Sequence, residues 1–169
     1  MLNSLITSKT RLRMLIKFFV SAANNGYLNG LATEFKESTN SIRKELNNLS
    51  GAGYLVKSKK NNKIIYNANT SHPMFAVLQK IVRQHLGLEE IVETVIKRIG
   101  DVDKIALTGE YAKGVDSGNV EIIINGTKVN NDYLDSIIPK IKKKIGRKVT
   151  FLLNQKLDSK SIILYNKNN

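Results

Sequence analysis

The sequence predicts an α+β protein in which two small domains are joined by helices. Apolar residues recur at helical spacing through most of the first hundred residues, and short β-rich runs separated by Gly and Asn come mainly after residue 100. A third observation is the charge, because 27 Lys and Arg against 14 Asp and Glu give a net charge of +13. The predicted domains are residues 1–70 and 101–169, with a helical connector at 71–100.

The positive charge is concentrated in residues 1–70, which hold eleven Lys and Arg and three Glu. A field of this sign attracts polyanions, with nucleic acid as the first candidate and an anionic membrane as the second. A solvated basic face that only aids solubility remains the alternative interpretation.

Composition excludes several classes of protein. The chain has no Cys, and its two histidines, His72 and His85, lie in no metal-binding spacing, so zinc sites and cysteine catalysis are not expected. No apolar run reaches the roughly 20 residues that span a bilayer. Lys17 interrupts the apolar stretch near the N-terminus, which favours an amphipathic helix over a signal peptide. We therefore expect a cytoplasmic protein with no metal, no cofactor and no membrane partner.

The first 70 residues predict three helices followed by a hairpin. The helices are expected at Lys9–Ala23, at Leu31–Lys36 and after Ser38–Asn40, and the strands at Tyr54–Ser58 and Lys63–Asn67, joined by Lys59–Asn62. Within the third helix, Ile42, Leu46 and Leu49 repeat at spacings of four and three and predict a buried face.

This order of elements resembles the winged helix-turn-helix domain of the ArsR/MarR-like bacterial repressors. The resemblance is carried by LATEFKESTNSIRKELNNLSGAGYLVKSKKNNKIIYNAN, in which a Ser/Thr/Asn-rich turn precedes an Arg- and Lys-containing helix and a Lys-rich hairpin. It implies a transcriptional regulator that binds double-stranded DNA. The winged fold also occurs as a protein-interaction module, and that alternative stays open.

The predicted DNA contacts are polar and basic residues on the open face of the third helix and on the hairpin. They are Thr39, Asn40, Ser41, Arg43, Lys44 and Asn47 on the helix, and Lys57, Lys59, Lys60 and Lys63 on the hairpin. Arg can read guanine and Asn adenine in the major groove, whereas Ser and Lys suit phosphates. A solvated face, and helix capping for Asn47, are the alternatives.

The connector predicts two apolar helices that break at Gly87. Their stripes are Met74, Phe75, Leu78, Ile81, Val82 and His85, then Leu88, Ile91, Val92, Val95, Ile96 and Ile99. The family resemblance implies a homodimer formed in part through such a helix. The alternative is that the stripes only pack the two domains of one chain together, with His85 as a partly buried core residue.

The second domain predicts strands at Lys104–Thr108, Val120–Ile124, Arg147–Leu153 and Ser161–Tyr165, with a helix at Tyr133–Ile145 that contains Pro139. The segment LTGEYAKG, followed by VEIII, resembles the nucleotidyltransferase motif of the polymerase-β-like superfamily. In that family a Gly-Ser turn holds a nucleotide phosphate, and carboxylates on the following strands hold Mg²⁺.

The motif residues map to Gly109, Glu110, Lys113, Gly114, Asn119 and Glu121. Glu110 replaces the family's Ser, Asn119 replaces a carboxylate, and the third carboxylate position falls on Thr150. We therefore expect a nucleotidyltransferase-like fold with no catalytic residues, which serves in sensing an unidentified small-molecule or protein effector, or in dimerisation. The alternatives are an active nucleotidyltransferase targeted by the winged helix, an antitoxin-like binding partner, and a chance glycine-rich turn.

Overall fold

The computed structural model describes residues 2–168 and confirms the α+β class. A 3₁₀ turn, Leu2–Ser4, precedes seven α-helices and seven strands in the described chain. The chain divides into two compact units, one ending at Val82 and the other beginning at Arg83. No helix within residues 2–168 is long and apolar enough to cross a membrane.

The first unit contains three helices and a three-stranded antiparallel sheet, followed by most of a fourth helix. The elements are α1 (Lys9–Phe19), β1 (Asn25–Gly26), α2 (Leu28–Phe35), α3 (Thr39–Gly51), β2 (Leu55–Lys60), β3 (Lys63–Ala68) and α4 (Phe75–Leu86). The sheet order is β1-β3-β2. The predicted sequence of three helices and a hairpin is thereby confirmed.

Two helix boundaries in this unit differ from the prediction. The first helix ends at Phe19 and not at Ala23, because the chain has to reach β1, where Asn25 and Gly26 pair with β3. The second helix begins at Leu28 and not at Leu31. Its first backbone hydrogen bond runs from Leu31 N to Tyr27 O, so Asn29 lies inside the helix.

The hairpin is tighter than the sequence suggested. β2 extends to Lys60 and β3 begins at Lys63, so only Asn61 and Asn62 form the turn. Both have positive φ, 49° and 59°, the conformation required at the two central positions of a type I′ turn. Asn tolerates this region better than most residues, so the short turn suits its sequence.

The core of the first unit contains the predicted apolar stripe of α3. Ile42, Leu46 and Leu49 are buried there. The aromatic rings of Phe19 on α1 and Phe75 on α4 pack with their centroids 6.0 Å apart. These contacts fix α3 with its polar face directed away from the core.

The second unit holds the rest of the chain around a four-stranded mixed sheet. Its elements are α5 (Leu88–Ile96), β4 (Asp101–Thr108), α6 (Gly109–Ala112), β5 (Asn119–Thr127), α7 (Asn131–Ile145), β6 (Lys148–Leu153) and β7 (Ile162–Asn166). The strand order is β6-β5-β4-β7, in which only the β5–β6 pair is parallel. α7 supplies the crossover that a parallel pair requires.

Two features of α7 agree with its sequence. The side chain of Asn130 caps the helix by accepting a hydrogen bond from Tyr133 N. Leu134, Ile137 and Ile141 are buried, whereas Ile138 and Ile145 are half-buried. Pro139 lies inside the helix, as the sequence indicated.

Candidate functional site

The open face of α3 carries four polar side chains in one stripe. Asn40, Arg43, Lys44 and Asn47 are spaced i, i+3, i+4 and i+7, and all four are exposed. This spacing places them on one side of a helix, opposite the buried apolar residues. The predicted Thr39 is also exposed and lies in the first turn of α3.

Local hydrogen bonds order the first turn of α3. Ser38 caps the helix, and its Oγ accepts a hydrogen bond from Ser41 N at 3.2 Å. The same hydroxyl lies 3.1 Å from Ser41 Oγ, so the predicted contact residue Ser41 already takes part in the cap. Arg43 Nη1 donates to Asn40 Oδ1 at 3.2 Å, which orders both side chains on the open face.

The acidic residues of the first 70 positions all form ion pairs with basic residues of α1. Each Glu pairs with one basic residue of this helix: Arg11 with Glu45 at 2.9 Å, Arg13 with Glu37 at 3.0 Å, and Lys17 with Glu34 at 2.8 Å. Eight Lys and Arg of this range remain, and six of these lie on α3 or the hairpin. The positive field is therefore concentrated on the side of the unit that carries the α3 stripe and the hairpin.

The four hairpin lysines occupy exposed positions on β2 and β3. Lys57 and Lys59 alternate along β2, so their side chains share one face of the hairpin. Lys60 pairs with Lys63 beside the turn, which brings two positive charges together at the tip. Such a pair costs electrostatic energy in the isolated protein and is relieved by an anion.

A groove of about 430 Å³ separates α3 from the hairpin. Its lining is basic, amide-bearing and aromatic, and includes Arg43, Asn47, Lys57, Lys63, Tyr27 and Tyr66. The ammonium group of Lys63 lies 4.4 Å from the centroid of the Tyr27 ring, and that of Lys57 lies 5.7 Å from the centroid of Tyr66. Sequence reasoning had not assigned either Tyr a role here. Of the two, only Tyr66 stands next to a basic segment of the sequence, three residues after Lys63, whereas Tyr27 has no Lys or Arg near it in the chain.

The LTGEYAKG segment and the strand positions singled out with it lie at one end of the sheet in the second unit. Gly109 follows β4 with φ of 69°, and a Cβ at this position would lie 2.6 Å from the Glu121 carboxylate. Glu121 pairs with Thr150 across β5 and β6. Thr150 Oγ1 donates to Asn119 Oδ1 at 3.0 Å. The three strand positions are thus adjacent, but only Glu121 is a carboxylate.

The remaining motif residues form the turn after β4. Glu110 of α6 and Lys113, the residue that follows this helix, are exposed and make an ion pair of 3.1 Å. Gly114 ends this turn with φ of 77°. Within residues 2–168, no three or more His, Cys, Asp or Glu side chains converge as a metal-binding group.

A buried network behind this turn was not foreseen from the sequence. Tyr111 is fully buried, and its hydroxyl donates to Asp116 while accepting hydrogen bonds from Gly118 N and Arg147 Nε, both at 3.1 Å. Burial, reinforced by the hydrogen bond to Asp116, raises the pKa of Tyr111. Arg147 also donates to His85 O at 2.8 Å. The network fixes the 109–118 turn to the start of β6.

His85 is buried, as the sequence suggested. Arg147 Nη2 lies 3.0 Å from His85 Nε2, and because a guanidinium group only donates, Nε2 must accept. The ring proton is then on Nδ1, which has no hydrogen-bond partner among the described residues. Burial, followed by the charge of Arg147, lowers the pKa of His85 from 6.5 to about 4.

Comparison with known proteins gives one partial likeness. No family model and no curated protein matches the chain. Among solved structures, the crystal structure of the AntR antimony-specific transcriptional repressor is similar, with 20% identity and a TM-score of 0.40 over 54% of this chain and 77% of that chain.

Proposed function

We propose that this protein is a DNA-binding transcriptional regulator, in which the α3 stripe and the β2–β3 hairpin contact duplex DNA. The observation that carries the proposal is the separation of charge in the first unit. Every Glu of the first 70 residues forms an ion pair with a basic residue of α1. The α3 stripe and the hairpin together carry six Lys and Arg. A surface on which positive charge is concentrated in this way suits a polyanion.

The α3 stripe has the chemistry for reading bases. An α-helix fits the major groove, where Arg43 can donate two hydrogen bonds to guanine O6 and N7. Asn40 and Asn47 can pair with adenine in the same groove. Lys44 and the hairpin lysines contribute phosphate contacts, which add affinity without reading sequence.

The second unit has a non-catalytic role in this proposal. Two-metal phosphoryl transfer depends on carboxylates that neutralise and position the ions. At the three strand positions this chain has Glu121 with the neutral Asn119 and Thr150, which already bond to each other. The Glu121 carboxylate also lies against Gly109, where the family would bring a nucleotide phosphate. These residues do not fit a Mg²⁺-dependent transferase site, and sensing or dimerisation is the remaining use.

The proposed regulator acts as a homodimer. In the first unit, Met74 and Val77 are 41% and 45% exposed on or next to α4, whereas Val82 of the same helix is buried. Large exposed apolar side chains of this kind are suited to a partner surface. Light scattering at micromolar concentration should give twice the chain mass, and a monomer mass would contradict this part of the proposal.

Fluorescence anisotropy with duplex DNA over a range of salt concentrations tests DNA binding. We expect the logarithm of the affinity to fall linearly with log salt, with a slope of roughly 0.9 for each phosphate neutralised. Arg43→Ala should relax the preference at one base pair by about 1–3 kcal/mol. Lys60→Ala should weaken binding to all sequences alike.

Lys104→Ala is the matched control, because Lys104 is exposed on β4 of the second unit, outside α3, the hairpin and the apolar surface of α4. It removes the same charge and should leave the salt slope unchanged. The absence of DNA binding at low salt would refute the proposal. Equal effects of Lys104→Ala and Lys60→Ala would show that net charge, and not the hairpin, determines binding.

A further inference from the structure

We propose that Ile64 makes an apolar contact with a deoxyribose of duplex DNA, on the strand that lies in the groove between α3 and the hairpin. Ile64 lies on β3, two residues after Asn62 of the turn, and it is 52% exposed. Its side chain lines the groove together with Arg43 and Lys57. A large apolar side chain therefore faces the space between the two elements that are proposed to contact DNA.

The pairing of the strands determines the neighbours of Ile64. It pairs directly with Lys59 across the hairpin, so the two side chains share one face. Two positions along each strand, the same face carries Lys57 and Tyr66, which pair with each other. Lys63 comes immediately before Ile64 and also lines the groove. Ile64 is thus an apolar position with lysines on several sides.

A side chain among several lysines meets the part of a DNA strand that lies between phosphates. Phosphates are the expected ligands of Lys57, Lys59 and Lys63. Successive phosphates of a strand are joined through deoxyribose, whose carbon atoms offer an apolar surface. Removing this surface and the Ile64 side chain from water together is favourable and involves no charge. The lysines and Ile64 would then contribute two different kinds of affinity, of which only the first is sensitive to salt.

The other face of the hairpin provides a matched control. The exposed residues of β2, the turn and β3 are Lys, Ser and Asn, apart from Ile64 and Val56. Val56 is also β-branched, and it is 47% exposed. It pairs with Asn67, which puts its side chain on the opposite face from Ile64. Val56 therefore resembles Ile64 in its exposure and its preference for a strand, but it points away from the groove.

The inference rests on the proposed function for the identity of the ligand. Its test is fluorescence anisotropy of the full chain with duplex DNA at several salt concentrations. We expect Ile64→Ala to lower the affinity by roughly three- to tenfold, because part of an Ile side chain is no longer removed from water on binding. The salt slope should equal that of the wild type, since no charge is lost. Val56→Ala should leave both the affinity and the slope unchanged.

Two results of this titration would overturn the inference. One is an unchanged affinity in Ile64→Ala. The other is an equal loss in Ile64→Ala and Val56→Ala, because a weakened hairpin, and not a contact in the groove, would then explain the effect. Thermal unfolding of each variant verifies that it remains folded.

A comparison of Ile64→Val with Ile64→Thr tests whether the contact is apolar. Val and Thr have nearly the same shape and both favour strands, but Thr carries a hydroxyl in place of a methyl group. We expect Ile64→Val to bind DNA more tightly than Ile64→Thr, because the hydroxyl would have to lose its water in an apolar contact. Equal affinities of these two variants would contradict the inference.

A second duplex, in which uracil replaces every thymine, distinguishes a sugar from a base. It keeps the deoxyribose and removes the thymine methyl groups, which are the apolar groups that bases present in the major groove. We expect Ile64→Ala to cause the same loss on both duplexes. A loss that disappears on the uracil-containing duplex would assign Ile64 to a thymine methyl group, and the deoxyribose contact would be wrong.

The same measurements separate this inference from the proposed function. If the wild type binds duplex DNA with a salt slope that Lys60→Ala reduces, while Ile64→Ala has no effect, the inference fails and the proposed function stands. If the wild type does not bind duplex DNA at low salt, the proposed function fails and the inference fails with it.

Discussion

Tyr27 is expected to hold the hairpin in the position from which it contacts DNA. β1 anchors the base of the hairpin, where Gly26 pairs with Tyr66. Near the tip, Lys63 Nζ lies 4.4 Å from the centroid of the Tyr27 ring. That ring packs closely on Gly30, since a Cβ there would lie 2.8 Å from ring carbons. The absence of a side chain at Gly30 lets Tyr27 reach the hairpin.

Replacing Tyr27 by Leu removes the cation–π contact and leaves the tip of the hairpin held by its turn and the pairing of β2 with β3. An exposed contact of this kind is worth about 0.5–1 kcal/mol. If the contact organises the hairpin for binding, DNA affinity should fall about two- to fivefold, because about 1.4 kcal/mol corresponds to a factor of ten. Tyr27→Phe retains the ring and should bind DNA nearly as the wild type does.

A double-mutant cycle with Lys63→Met isolates the Tyr27–Lys63 interaction from any direct contact that Lys63 makes with DNA. Anisotropy measurements on the four chains should show that Tyr27→Leu weakens binding only when Lys63 is present. A rise in affinity on removing the ring would refute the reasoning, since Tyr27 would then be competing with phosphate for the ammonium group.

Two further predictions concern the second unit. Gly87 has φ of 75°, and a Cβ there would lie 2.4 Å from Ile145 Cγ2, so Gly87→Ala should lower the free energy of unfolding by about 2–5 kcal/mol in urea titrations. The control Gly51→Ala, with no atom within 4 Å of the added Cβ, should be neutral or slightly stabilising. Incubation with labelled ATP, GTP, CTP or UTP and Mg²⁺ or Mn²⁺ should give no label transfer, because the strand positions supply one carboxylate. Transfer that is lost in Glu121→Gln would show that this site is active.

The features that the sequence predicted well are those set by neighbouring residues. Ile42, Leu46 and Leu49 repeat at helical spacing, so their burial also fixed the opposite polar face of α3. The end of α1 was missed because the chain has to reach β1, which pairs with β3 some forty residues away in the chain. Lys17 was recognised only as an interruption of an apolar stretch, whereas it is buried and paired with Glu34.

The candidate site of the second unit shows the same limit. Its motif residues are close in sequence and could be recognised together. The network behind them joins His85, Tyr111 and Arg147, which come from separate segments and meet only in the folded chain. The sequence pattern assigned His85 to the core but could not identify Arg147, whose charge adds to burial in lowering the pKa of His85.

The lowered pKa of His85 predicts how the stability of the second unit depends on pH. His85 is 7% exposed and has a pKa of about 4 in the folded chain, because burial and then Arg147 disfavour its charged form. Asp116 acts in the opposite direction without reversing the shift. The unfolded chain, with the ordinary value near 6.5, binds more protons between pH 6.5 and 4. The stability contributed by neutral His85 is therefore complete above pH 6.5 and lost as the pH falls towards 4. The loss is at most about 3 kcal/mol.

His85→Gln tests this prediction, since the Gln amide oxygen can accept the hydrogen bond from Arg147 but cannot titrate. Urea titrations at intervals from pH 7 to 4 should show the wild type losing stability faster than the variant below pH 6.5. The two chains should show parallel curves above that value. Carboxylates that titrate in the same window are shared by both chains and cancel in the difference. Parallel curves over the whole range would mean that His85 has the same pKa in the folded and unfolded chains, and the lowering attributed to burial and Arg147 would be wrong.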